Sequence, residues 1–307
     1  MKTEFPKTQH FVSVPGTGLS YPETLIRGAA EGPRVTVSAG VHCREYIGIE
    51  ALNRLAAELQ PEQIRGELRL IHAVNYSGLI VRSGDVCPED GKNLNRVFPG
   101  DPEGTSTDRL AAFLEREVIA GSDAIIDLHS GGFCEELTPH VYFHGVCAPE
   151  VNRRSEEIAR CVNVPYIYRS SAKNGFYSHA GQCGVPAIIL ERGGCGVWSE
   201  DEVLADMEDV RNILRFLGVL DDGVPAVRRE PCLMTAGWFE DAPVSGCWYP
   251  VRHAGDRVSR GEVLGQIRSV FGEVLHTCIA EADGVILYQT ASLGIEKGQP
   301  MVAYGAV

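Results

Sequence analysis

From residue 34 to residue 216, short apolar runs rich in β-branched residues alternate with longer stretches of helical period. No other feature of the chain constrains its fold as strongly. Residues 34–39 (RVTVSA), 67–74 (ELRLIHAV), 124–128 (AIIDL), 140–143 (HVYF) and 187–190 (AIIL) read as strands. Several are apolar at consecutive positions, as expected of strands covered on both faces. Between them, 48–59, 107–120, 149–161 and 201–216 read as helices, with Pro149 in a first turn and Ser199 as a cap. The alternation predicts an α/β layer fold, a mixed, largely parallel sheet flanked by helices.

Near residue 220 the pattern changes. DDGVPAVRREP is a polar connector, and beyond it glycines recur between short strand-like runs without a helical period. The stretch AGDRVSRGEVLGQI (254–267) is echoed by LGIEKGQPMVAYG (293–305), which predicts an all-β barrel-sandwich with approximate two-fold symmetry. Two domains are therefore expected, 1–222 and 223–307.

The 307 residues are 44% hydrophobic and 22% charged, the balance of a soluble globular chain. A net charge of -13 with no basic run argues against a nucleic-acid partner. No stretch of 18 uncharged apolar residues argues for a membrane span. The ten cysteines form no CxxC pair, and MKTEFPKTQHFVSVPG lacks the apolar core of a leader, so a reduced cytoplasmic protein is expected. A homo-oligomer is compatible with the sequence, which leaves the oligomeric state open.

The segment SAGVHCREYIGIEAL (38–52) places His42 and Glu45 on the turn from a strand into a helix. Ligand crevices of open α/β sheets lie outside such strand ends. Imidazole nitrogen and carboxylate oxygen both suit zinc, and a catalytic zinc takes three protein ligands and leaves one position open. The third ligand is expected at His129 in AIIDLHSGG (124–132), with the small residues after it leaving room for substrate. Asp127, two residues earlier on the same strand face, suits the acceptor that orients a ligand imidazole. In NYSGLIVRSGDVCPEDGKNLNRVFPG (75–100), Arg82, Asn95 and Arg96 offer donors for a carboxylate. Arg96 alone reads equally well as a tie for its own loop. Glu191 ends an apolar strand in GVPAIILERGGCG (184–196), where a charge needs a reason. It suits a general base beside a metal-bound water, or else a salt bridge to Arg192.

With HCRE, NLNRVFPG, DLHSGG and LERGG in that order, the chain resembles the zinc carboxypeptidase superfamily, and within it the succinylglutamate desuccinylase/aspartoacylase-like deacylases. The resemblance covers nearly the whole chain. It implies one Zn2+ on His42, Glu45 and His129, with Glu191 as the base. It further implies Arg82 polarising the scissile carbonyl, Asn95 and Arg96 holding the substrate carboxylate, and Tyr177 binding substrate. The implied substrate is a small N-acyl amino acid or related linear amide. Three departures stand out: Cys43 where the branch has glycine, Asn93 where it often has aspartate, and no arginine between Tyr177 and Glu191, where His179 is the one candidate cation. A small neutral acyl group such as acetyl therefore fits better than an aspartyl or succinyl group.

Two other readings remain open. One is a metallocarboxypeptidase acting on short peptides; the other is a catalytically inactive ligand-binding protein. A carrier domain is excluded, because IRSVFGEVLHTC between the half-repeats offers no lysine and Lys297 lies in the second half.

Overall fold

The computed structural model describes residues 7–307. The reading of the first sixteen residues as lacking a leader falls partly on residues 1–6, outside the described residues. The chain runs β1 (Lys7–Ser13), β2 (Ser20–Arg27), β3 (Ala30–Ala39), α1 (Tyr46–Glu58), β4 (Arg65–Ile71), α2 (Tyr76–Val81), α3 (Ser106–Leu114), β5 (Ala124–His129). Next come β6 (Glu135–Leu137), β7 (His140–His144), α4 (Pro149–Ala159), β8 (Tyr166–Ser170), α5 (Phe176–Gln182), β9 (Ala187–Glu191), α6 (Glu200–Phe216) and β10 (Cys232–Met234).

These strands form one nine-stranded sheet, ordered β1-β2-β4-β3-β5-β9-β7-β8-β10, with β6 outside it. The pairs β3·β4, β3·β5, β5·β9, β7·β8 and β8·β10 are parallel, and the rest antiparallel. The expected mixed, largely parallel sheet between helices is what forms. Its consecutive apolar residues divide between two cores, as strand alternation requires. Ile126, Leu128, Ile188 and Leu190 pack with α1, α4 and α6, whereas Ile125, Ala187 and Ile189 pack with α3 and α5. Gly48 lets α1 lie close on the sheet, since a Cβ there would press on Leu128. No helix among the described residues is long and apolar enough to cross a membrane.

The remaining strands are β11 (Ala236–Asp241), β12 (Gly246–Pro250), β13 (Arg257–Val258), β14 (Val263–Arg268), β15 (Val274–Ile279), β16 (Gly284–Thr290), β17 (Gly294–Ile295) and β18 (Pro300–Ala306). They make two antiparallel sheets, β11-β18-β16-β13 and β15-β14-β12-β17, over a core that includes Trp248, Leu264, Ile267, Val302 and Tyr304. The internal repeat is visible in the pairing. The chain passes from β13 in one sheet, through a turn at Gly261 (φ 86°), to β14 in the other. It does the same from β17 through Gly298 (φ 85°) to β18, with the two sheets exchanged.

The two sheet systems trade strands. Cys232–Met234 returns to pair with β8, and Glu135–Leu137 leaves the large sheet to pair with β16. A buried ion cluster then fastens the end of β9 to α6. Arg192 donates to Asp206 (3.2 Å) and Asp209 (2.5 Å), both fully buried, and lies 3.5 Å from Glu202. Burial pushes the Asp206 carboxyl up to about 8 against the pull of Arg192. Removing the guanidinium leaves two uncompensated buried carboxylates, a situation that costs about 3–5 kcal/mol. Arg192→Met is expected to lose stability on that scale, read as an earlier urea midpoint; an unchanged midpoint would contradict this account of the cluster.

Candidate metal centre and its cavity

Gly40, at φ 66°, turns the chain out of β3, and His42 and Glu45 follow before α1 begins at Tyr46. Glu45 holds the N-cap position yet makes no side-chain capping bond. Its two oxygens are used elsewhere. Oε1 lies 2.8 Å from His42 Nδ1, and Oε2 lies 2.8 Å from His129 Nδ1 while accepting from Ser130 N at 3.2 Å. The imidazole planes stand 85° apart with centroids 5.0 Å apart.

The outer nitrogens fix the tautomers. His129 Nε2 donates to Asp127 Oδ2 (2.9 Å), and Asp127 Oδ1 accepts from Ser38 Oγ (2.7 Å). Asn93 Oδ1 accepts from Asn95 N (2.8 Å), which identifies it as the amide oxygen, so His42 Nε2 at 3.2 Å must be the donor. The amide thus does for His42 what a carboxylate does for His129. Both Nδ1 atoms are left as lone pairs directed at one carboxylate. Lone pairs and carboxylate oxygens at 2.8 Å repel each other unless a proton or a cation lies among them. The donor atoms of His42, Glu45 and His129 all lie within 4.8 Å of one another, and this N, N, O set suits a divalent metal. Where protons and not a cation supply the positive charge, burial raises the Glu45 carboxyl, but the charged imidazoles more than offset that and lower it to about 2.

Strand register supplies the rest. His129 on β5, Glu191 on β9 and His140 on β7 occupy one row of Cα partners, and Asp127, Ile189 and Tyr142 occupy the next row on that face. Glu191 therefore stands one strand away from the ligand imidazole. The alternative of a salt bridge with Arg192 is not realised: Arg192 points to the other face of the sheet, into the α6 cluster. Burial, reinforced by the Glu45, Glu135 and Asp127 carboxylates against His129, pushes the Glu191 carboxyl well above its ordinary range.

These groups line a cavity of about 850 Å³ that also receives Asn95, Arg96 and Tyr177. Asn95 is buried, and its Oδ1 accepts from Phe176 N (2.9 Å), pinning the start of α5 and so placing Tyr177. Arg96 is exposed and donates Nη1 to Asn95 O (2.9 Å), so it does tie its own loop while flanking the cavity. Arg82 is not brought to the cavity. It is the exposed, left-handed C-cap of α2 (φ 60°, ψ 48°) and does not line the cavity. Beside Arg96, a second guanidinium lines the cavity, that of Arg44, which is paired with Asp85. Arg44 belongs to the HCRE run, where it stands between the two candidate ligands His42 and Glu45. It also fills space that the glycines after His129 were expected to leave for substrate, since a Cβ on Gly132 would collide with its guanidinium. Cys43 points away from the metal centre, donating to Gly84 O at 2.9 Å, and burial raises its thiol. His179 pairs with Glu115 at 3.3 Å, outside the cavity.

A family model, the succinylglutamate desuccinylase/aspartoacylase catalytic domain, matches residues 31–217. The chain belongs to that family. It is 28% identical over 302 residues to an N-alpha-acetyl-L-2,4-diaminobutyric acid deacetylase of Halomonas elongata, covering 93% of this chain and 85% of that protein. Among solved structures it resembles a succinylglutamate desuccinylase/aspartoacylase from Rhodobacter sphaeroides, with TM-score 0.88 and 25% identity over 100% of this chain and 98% of the other. It also resembles the product-bound ectoine utilization protein EutE of Ruegeria pomeroyi, with TM-score 0.86 and 24% identity over 98% and 94%.

His140 lay in a strand segment but carried no motif that marked it as a cavity residue. It is buried, its Nδ1 donates to Thr138 O (2.7 Å), and burial lowers its ring to about 4 from an ordinary 6.5. Between those values the unfolded chain takes up a proton that the folded protein refuses. The stability tied to neutral His140 is therefore present above pH 6.5 and lost on the way down to pH 4, by about 3 kcal/mol. His140→Phe should lose less stability than the parent between pH 7 and 4.5, measured by urea unfolding; equal losses would contradict this.

Proposed function

We propose that the protein is a zinc-dependent deacylase that hydrolyses the amide bond of a small N-acyl amino acid or a related linear amide. One observation carries this reading: two oriented imidazoles and a carboxylate converge within reach of Glu191, a second carboxyl that no ion pair among the described residues explains. Zinc bound at His42, Glu45 and His129 would supply Lewis-acid activation of water and of the scissile carbonyl. Asp127 and Asn93 hold the imidazoles in the tautomers that present Nδ1. Glu191 takes a proton from water and passes it to the departing nitrogen, and its high carboxyl value suits the donor half of that cycle. Arg96 and the Asn95 amide flank the cavity where the substrate's carboxylate binds, and Tyr177 forms part of its wall. The name of the Halomonas relative, a deacetylase, supports an acetyl-sized acyl group. So does the pairing of Arg44 with Asp85, which leaves it less able to grip an acidic acyl chain.

The peptidase reading is less favoured, because residues of the C-terminal sheets such as Tyr288 and Pro300 line the cavity and limit room for a polypeptide. The ten cysteines are all free, which supports a reducing compartment such as the cytoplasm.

Chelation should abolish hydrolysis of N-acetyl amino acids, and zinc should restore it; turnover of blocked dipeptides alone would favour the peptidase. Glu191→Gln should lower kcat roughly 100- to 10,000-fold with zinc stoichiometry unchanged. Sustained turnover in that variant would remove Glu191 from the mechanism. Asp127→Asn should weaken zinc roughly 10- to 100-fold in chelator competition, and an unaltered affinity would deny Asp127 its orienting role.

A further inference from the structure

A second group of metal-binding donors stands outside the cavity, where α5 meets the end of α3. His179 and Cys183 are four residues apart in the last turn of α5 and at its cap, so they share one face of the helix. Glu115 faces them from the point where α3 widens into a single π turn, Glu115–Ile119, closed by Ala120 N donating to Glu115 O at 3.0 Å. Turns of that width are rare and recur at functional sites. None of the three side chains lines the cavity of the first metal centre.

His179 Nε2 lies 3.3 Å from Glu115 Oε1 and 3.4 Å from Cys183 Sγ. One ring nitrogen therefore faces a carboxylate and a thiol together, and a single proton satisfies only one of those contacts fully. The spacings are those of a coordination shell. With bonds to nitrogen and oxygen of about 2.0–2.2 Å and to sulfur of about 2.3 Å, a tetrahedral ion sets nitrogen about 3.4 Å from oxygen and about 3.6 Å from sulfur. All three donor atoms lie within 4.8 Å of one another. Their electrostatics agree. Burial, with the Glu115 charge adding to it, raises the Cys183 thiol, and a divalent cation removes the repulsion that two negative groups there would feel. Cys183 is exposed and Glu115 partly so, which leaves the ion a way in and a water position.

We propose that Glu115, His179 and Cys183 form a second divalent-metal site, a surface centre of the zinc class with one nitrogen, one sulfur and one oxygen ligand. Sulfur decides the class, because thiolate suits zinc and softer metals, whereas magnesium and calcium take oxygen. Binding replaces the thiol proton: Cys183 releases H+ as its sulfur takes the metal, and nothing is oxidised or reduced. The bound ion joins α3 to the last turn of α5, the helix that carries Tyr177 into the cavity wall. The assignment is independent of the deacylase reading, since it uses no residue of that cavity.

The test titrates the chelator-stripped chain with Co2+, whose bond to thiolate gives a near-ultraviolet charge-transfer band. His42, Glu45 and His129 include no sulfur, so the band reports the second site alone. It should saturate at one sulfur-bound cobalt per chain and disappear as Zn2+ displaces the cobalt. Cys183→Ser, at an exposed position that the fold tolerates, should abolish the band and lower the cobalt bound at saturation by one per chain. His179→Gln and Glu115→Gln should each weaken the band-forming cobalt by at least roughly 10-fold in chelator competition. Cys232→Ser, also exposed, should leave band and affinity unchanged. No band in the parent protein, a band that survives Cys183→Ser, or an affinity indifferent to both His179 and Glu115 would overturn the site.

Discussion

The site is organised by the carboxylate of Glu45 held between two imidazoles whose other nitrogens are already committed. Asp127 takes the Nε2 proton of His129 and Asn93 takes that of His42, so both Nδ1 lone pairs are turned inward. With three electron-rich atoms facing one another, the centre is stabilised by a positive charge among them. Neighbouring choices follow from this. Ser38 satisfies the second oxygen of Asp127, Ser130 N satisfies Glu45, and α1 begins without the side-chain cap that Glu45 would otherwise supply.

Register sets a row of polar groups beside that local centre. On the face of the large sheet that meets α3 and α5, the row His129, Glu191, His140 lies across three adjacent strands, backed by Asp127, Ile189 and Tyr142. Slipping any of these strands by one residue would send its polar groups into the opposite apolar core, so the packing of Leu128, Leu190 and Val141 holds the chemistry in place. Arg192 secures the same register from the other face, through its cluster on α6.

Much of this was legible in the sequence because the signals are local. An apolar strand run followed at once by His-x-x-Glu or by Asp-x-His states both the element and the position of its ligands, and Asp127 and His129 share a face by simple alternation. What was missed had weaker signals. The antiparallel pair of β1 and β2 opens with KTQHFVS, mostly exposed, and α5 is seven residues long, too short for a helical period to stand out. The strand at Tyr166–Ser170 has the buried Ile167 between two half-buried tyrosines, then Arg169 and Ser170, and lacks the aliphatic run of its neighbours. The direction of Arg82 was hidden for another reason. A left-handed residue at a helix end redirects its side chain, and nothing in the residue type announces that conformation.

The division between what local spacing encodes and what it does not has a functional meaning. Metal ligands must be held within a fraction of an ångström, and short spacings at rigid strand ends achieve that. The rest of the cavity wall is assembled instead from residues far apart in sequence. Glu135 reaches the cavity because β6 leaves one sheet for another, where its strand pairs Leu137 with Tyr288, and His140 follows as the chain turns back into β7. The same excursion brings Glu135 near the charges of Glu45 and Asp85 and sets His140 beside Glu191. The excursion is anchored on β16 of the C-terminal sheets, whereas the three candidate ligands lie at strand ends of the large sheet. Local motifs therefore mark the candidate ligands, while the far wall of the cavity is written in long-range pairing that no motif carries.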